Sequence, residues 1–172
     1  LNKNVLNDAM EKDKLGNDNI NSIFGIPILL KDNIGFESLP TTAGAYVLKD
    51  NYTEDAFITK KLKSEGAIIL GKTNLSEWAN YFCSGCPNGY TSLGGQTLNP
   101  YGRKIIDTGG SSSGSGVATA SNLSSVSLGS ETSGSILSPS SANSLVGMKP
   151  TIGNVSRSCL LYTSDAADEV DG

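Results

Sequence analysis

Histidine is missing from all 172 residues of the chain. Its absence excludes, within this sequence, Ser-His-Asp and Cys-His catalysis and any metal site built on imidazole. A hydrolytic chemistry would have to draw its base from a carboxylate or a lysine. A basic excess is missing as well. The net charge is −4 with both signs interspersed, so no nucleic-acid footprint is present. No apolar run approaches membrane-spanning length, and the longest, residues 26–30 and 67–70, read as buried strands. Cysteine is scarce: Cys83 and Cys86 form a C-x-x-C with neither a second ligand pair nor a thioredoxin-like context. That pattern favours free thiols over a zinc or redox role, with a disulfide as the alternative. The chain starts at Leu1 and carries no signal-peptide pattern, which leaves its compartment open, as is its oligomeric state.

Glycine and serine are concentrated in residues 107–135, DTGGSSSGSGVATASNLSSVSLGSETSGS. Two Gly/Ser turns, at 108–116 and 130–135, flank an apolar-alternating segment at 125–128 that looks built to be buried. Such composition is most often a flexible linker. Here the tract leads into Val117, Ala118, Ala120 and Leu123, which suit a short packed helix, and the device is repeated beside a strand. The linker reading fails on those two counts. Glycine lets backbone approach a ligand closely, successive N–H groups can cradle an oxyanion, and serine hydroxyls are potential nucleophiles and proton relays.

The rest of the chain is read as one α/β layered domain, long enough to bury a core. Leu1, Val5, Leu6, Ala9 and Met10 predict a surface helix with one packed face, closed by Gly16 and followed by an Asn-rich loop. Residues 25–30 form a buried strand ending in Lys31, which either emerges into solvent or is buried with a partner. Residues 53–66 read as a helix with Thr53 as N-cap, Glu54 and Asp55 in the first turn, Lys60, Lys61 and Lys63 later, and Phe57, Ile58 and Leu62 facing inward. Residues 67–70 are a core strand, and Asn74 is placed to cap a helix containing Trp78. Residues 84–101 form a long loop feeding the first Gly/Ser turn.

A lysine at a strand end together with serines on glycine turns suggests Ser-Lys catalysis. Free lysine titrates near ~10.4, so it must be desolvated to act as a base near neutrality. Gly109-Gly110-Ser111-Ser112-Ser113-Gly114-Ser115 and Gly129-Ser130-Glu131-Thr132-Ser133-Gly134-Ser135-Ile136 resemble the two halves of the amidase signature. Residues 25–33, 66–79, 95–100 and 146–151 are similar to that family at further ordered positions. The resemblance implies a three-layer α/β/α fold around a mixed β-sheet, here incomplete. It also implies roles: Ser135 as acyl-accepting nucleophile, Ser111 as bridging serine beside a cis peptide expected at Gly110–Ser111 or Ser111–Ser112, with the peptide preceding Ser111 favoured, and Lys31 as base. Backbone N–H groups of Thr132, Ser133, Gly134 and Ser135 would form the oxyanion hole, with no metal or organic cofactor. The implied reaction cleaves a linear carboxamide, small or peptidic, to acid and ammonia or amine.

Ser133 and Leu137 depart from the commoner family residues. Leu137, Trp78 and the triple serine 111–113 resemble the peptide-amidase-like branch more than the A-type glutaminase component of glutamyl-tRNA(Gln) amidotransferase, which is the alternative, beside a catalytically inert piece. Residues 159–172 break the pattern and match the translation of a transposon-based sequencing adapter. The expectation is that residues 1–158 are the N-terminal portion of one amidase-signature domain and residues 159–172 an artefactual tail.

Overall fold

The structure is a computed structural model and describes residues 1–15, 23–83 and 85–161. Its centre is strand β1 (Pro27–Lys31), flanked by β2 (Ile68–Thr73) and β5 (Val126–Leu128), both parallel to it. A near-continuous apolar run suits a strand covered on both faces, as in parallel sheets. Ile28 and Leu30 enter a core with Ile34, Phe36, Ala56, Ala67 and Ile69, against which Ile58 and Leu62 of α2 (Phe57–Ser64) pack. Successive strand side chains alternate in direction. Leu29 and Lys31 therefore face the other side, where α3 (Ser113–Ala120) lies against the sheet. Among the described residues this sheet is purely parallel. Antiparallel pairing occurs in a separate ribbon of β3 (Tyr90–Thr91) and β4 (Gly95–Gln96) and in two isolated bridges, Ile34–Leu160 and Phe36–Leu39.

Several local expectations change. Helix α1 (Val5–Lys14) buries none of its residues, and Leu6 and Met10 are exposed. The N-terminal anchor is instead the buried Asn2. Its N–H donates to Leu70 O at 2.8 Å where β2 carries a register shift, and its side chain donates to Ile69 O. The residues expected to close this helix and follow it, Gly16 and the Asn-rich loop, lie outside the described residues, as does Ser84. Helix α2 begins at Phe57, not after Thr53, whose hydroxyl pairs with Thr41 Oγ1. Asp55 is buried and ion-paired with Lys63, and Phe57 is exposed. Asn74 caps no helix; its side chain bonds Gly89 O, Gly95 O and Thr97 Oγ1, fastening the long loop. Trp78 sits in a 3-10 turn (Glu77–Asn80) with positive φ. Leu123 and Val126 are exposed, and among the described residues β5 is an edge strand of the sheet.

Cys83 and Cys86 are joined in a disulfide rather than left as free thiols. Cys159 and Leu161, from the segment expected to be foreign, contact the turn after β1. Gly35 N–H donates to Cys159 O at 3.1 Å and Leu161 N–H to Asn33 O at 2.7 Å, while Leu160 packs against the core. Residues 162–172 of that segment lie outside the described residues.

Candidate active site

Lys31 is fully buried. Strand alternation delivers its side chain beneath the first Gly/Ser turn, where Nζ lies 2.7 Å from Ser111 Oγ and donates to Ser130 O at 3.1 Å. Burial pushes its pKa from 10.5 down to about 7, against the carboxylate of Glu131, which works to raise it. Near neutrality a substantial fraction is therefore the free amine. In that form it can accept the Ser111 proton while one of its own hydrogens stays on the Ser130 carbonyl.

The turn closes over the lysine because its residues are small. The Gly110–Ser111 peptide bond is cis. Ser111, Ser112 and Ser113 are buried, and Ser76 N–H donates to Ser111 O at 2.9 Å. A Cβ on Gly114 would stand 2.3 Å from the Asn74 carbonyl oxygen, so only glycine lets α3 lie on that backbone. Ser115 Oγ donates to Leu128 O and bonds Thr73 Oγ1, tying α3 to β5 and β2. Ser130 joins the two turns. Its carbonyl accepts from Lys31 and from Ser112 Oγ, and its hydroxyl exchanges hydrogen bonds with the buried Asn33 side chain.

Ser135 is half-buried just before the short helix α4 (Leu137–Ala142). Its carbonyl accepts the Ser112 N–H at 3.0 Å, which docks the second turn one residue from Ser111. Among the described residues the Ser135 hydroxyl makes no hydrogen bond, so it is not linked directly to Ser111 or Lys31 here.

Glu131 was not singled out from the sequence. Its carboxylate accepts N–H groups of Gly134 at 2.9 Å, Ile136 at 2.7 Å and Leu137 at 3.0 Å. Burial works to raise its pKa, but the Leu137, Ile136 and Gly134 N–H groups and Lys149 more than offset this and hold it below the usual value. The Gly134 N–H, expected in the oxyanion hole, is thus already engaged. The N–H groups of Ser133 and Ser135 make no hydrogen bond among the described residues, and Thr132 and Ser133 are exposed. Glu131 lies six residues ahead of α4, whose N-cap position is held by Ile136, so only an acid in the vicinity of a helix start, a loose signal, pointed to it. Ser130 and Asn33 give no comparable pattern.

Among the described residues no cluster of Cys, Asp and Glu is placed to hold a metal ion, and no helix is long and apolar enough to cross a membrane. The family described as Amidase matches residues 1–171. A protein of Arabidopsis thaliana named "Probable amidase" is 43% identical over 162 residues, 93% of this chain and 31% of its own length. The crystal structure of native peptide amidase from Stenotrophomonas maltophilia superposes with a TM-score of 0.89 at 46% identity, covering 93% of this chain and 33% of that one. The A-type component of the glutamyl-tRNA(Gln) amidotransferase of Lawsonia intracellularis is 39% identical over 166 residues, 96% of this chain and 33% of its own length. The chain thus spans about a third of the length of the relatives it matches.

Proposed function

The chain belongs to the amidase family, and from that premise we propose that it carries the base, relay and nucleophile of an amide hydrolase. The observation that carries the reading is the contact between the fully buried Lys31 and Ser111 Oγ. A lysine held near 7 beside a serine hydroxyl is equipped to take a proton at neutral pH.

In this reading neutral Lys31 accepts the Ser111 proton as Ser111 accepts that of Ser135, and Ser135 Oγ attacks the amide carbon. The N–H groups of Ser133 and Ser135, with that of Thr132, face the developing oxyanion, and Gly134 shapes the turn. Collapse breaks the C–N bond while the relay returns its proton to the leaving nitrogen, leaving an acyl ester on Ser135. Water, deprotonated by the same relay, attacks the ester and releases the acid and the Ser135 hydroxyl. The proposed substrate is a linear carboxamide such as a C-terminal peptide amide, in keeping with the likeness to the Stenotrophomonas peptide amidase. A glutaminase role within an amidotransferase is the second reading, favoured by the likeness to the Lawsonia protein.

The test is ammonia release by the complete protein carrying this sequence, offered a peptide amide, a small aliphatic amide and glutamine. Release from the peptide amide, lost by roughly 10²–10⁴-fold in Lys31→Ala, supports the hydrolase. Release from glutamine alone supports the second reading. A Ser135→Ala variant that labels with a fluorophosphonate as fast as the parent refutes the nucleophile assignment.

A further inference from the structure

A second lysine, with a largely covered side chain, lies one strand away and takes no part in the proposed proton transfers. Lys72 of β2 pairs with Leu30, the neighbour of Lys31, so its side chain leaves the sheet on the opposite face from the base. Its ammonium lies 3.3 Å from Asp32 Oδ1, with the two side chains 7% and 14% exposed. It also donates to Pro40 O at 2.9 Å and Thr41 Oγ1 at 2.6 Å. Asp32 in turn accepts from the Thr42 hydroxyl and backbone N–H through its carboxylate, and from Ala43 N–H through its carbonyl. Residues Thr41, Thr42 and Ala43 are almost wholly buried.

These bonds form a ring that returns to the site. Ala43 O accepts the Trp78 N–H at 2.9 Å, and two residues earlier Ser76 N–H holds Ser111 O at 2.9 Å. Ser111 meets Lys31, and Lys31 is covalently joined to Asp32. We propose that Asp32 and Lys72 are positioning residues for the proposed reaction: their ion pair clamps the Thr41–Ala43 turn and so fixes the Lys31–Ser111 contact. Buried ion pairs are poor sources of net stability, yet they impose one geometry on the groups they bind. A proton relay depends on such geometry, since a misplacement of about 1 Å can cost ~10²-fold in rate.

The inference rests on the hydrolase reading, and its test separates the two. Lys72→Met and Thr42→Val, with Thr42→Ser as the conservative partner, are compared in the complete protein carrying this sequence. Active sites are titrated with a fluorophosphonate, and kcat is expressed per titrated site. The expected result is a fall in kcat of about tenfold or more in Lys72→Met and Thr42→Val with KM within about twofold, and recovery in Thr42→Ser. A lower titratable fraction with unchanged kcat per site would show a purely structural pair and overturn the inference while leaving the hydrolase reading intact. A parent protein that neither labels nor releases ammonia overturns both.

Discussion

Replacing Lys31 by methionine should abolish turnover and, at low pH, make the fold more stable. A depression from 10.5 to about 7 corresponds to about 5 kcal/mol, taking about 1.36 kcal/mol per pKa unit. That is the cost of holding the ammonium in its buried site when both folded and unfolded states are protonated. Because the folded pKa is the lower one, the unfolded chain binds more protons between about pH 7 and 10.5. Stability of the parent therefore rises with pH across that window, and the cost is fully present only below about 7. Methionine carries no titrating group, so its advantage over the parent should shrink by about 2 kcal/mol between pH 7 and pH 9. Urea denaturation of both proteins at pH 6, 7, 8 and 9 measures this difference, and the other titrating groups, Lys72 included, are common to both and cancel. The same pKa fixes the acid limb of kcat/KM in the parent, which should rise to a plateau as pH passes about 7. A stability difference that stays flat from pH 6 to pH 9 would refute the buried-lysine argument, because it would mean that Lys31 titrates alike in both states.

Glu131→Gln removes the charge that works to raise the Lys31 pKa, so the acid limb should move to lower pH. One amide oxygen cannot replace two carboxylate oxygens for the Gly134, Ile136 and Leu137 N–H groups, so an additional loss of about 1–2 kcal/mol is expected in denaturant titrations. Gly114→Ala drives a Cβ to 2.3 Å from the Asn74 carbonyl oxygen, which must move α3 off β2. Its Tm should fall by more than that of Gly153→Ala, which meets no atom within 4 Å but has a positive φ of its own, and its turnover should fall as well. Reducing the Cys83–Cys86 disulfide should expose two alkylatable thiols in addition to Cys159, counted by mass spectrometry.

The sequence carried the strand ending in Lys31, the two Gly/Ser turns and the helix between them, because each is signalled locally by an apolar run or a cluster of small residues. It did not carry what depends on distant partners. Thr53 has the composition of an N-cap, but Thr41 claims its hydroxyl across the chain and the helix starts four residues later. Asn74 reads as a cap and instead bonds four groups of a loop that arrives 15 residues on or more. Whether Lys31 was exposed or buried could not be settled from β1 alone. It depends on Ser111 and Ser130, some 80 and 99 positions away, closing over it. Gly134 shows the converse: its place in the signature suggested an oxyanion donor, yet Glu131, three residues earlier, takes its N–H.

The glycine and serine content, which resembles a linker in composition, follows from what a fully buried lysine requires. Desolvating a lysine means bringing protein atoms up to the amine on every side, and large side chains cannot supply that without also filling the space a substrate needs. Small residues resolve the conflict. Gly114 lets α3 rest on the Asn74 backbone, and a Cβ on Gly110 would come within 2.6 Å of the Ser76 hydroxyl. Ser112, Ser115 and Ser130 then turn the contacts between these closely packed segments into hydrogen bonds. Each serine hydroxyl satisfies a backbone or side-chain polar group that the tight packing has removed from water. A flexible linker would leave those hydroxyls in solvent, whereas Ser111, Ser112, Ser113 and Ser115 are all less than 5% exposed. Burial of the serines and depression of the lysine pKa are therefore two results of one packing arrangement, and a substitution that loosens the first should release the second.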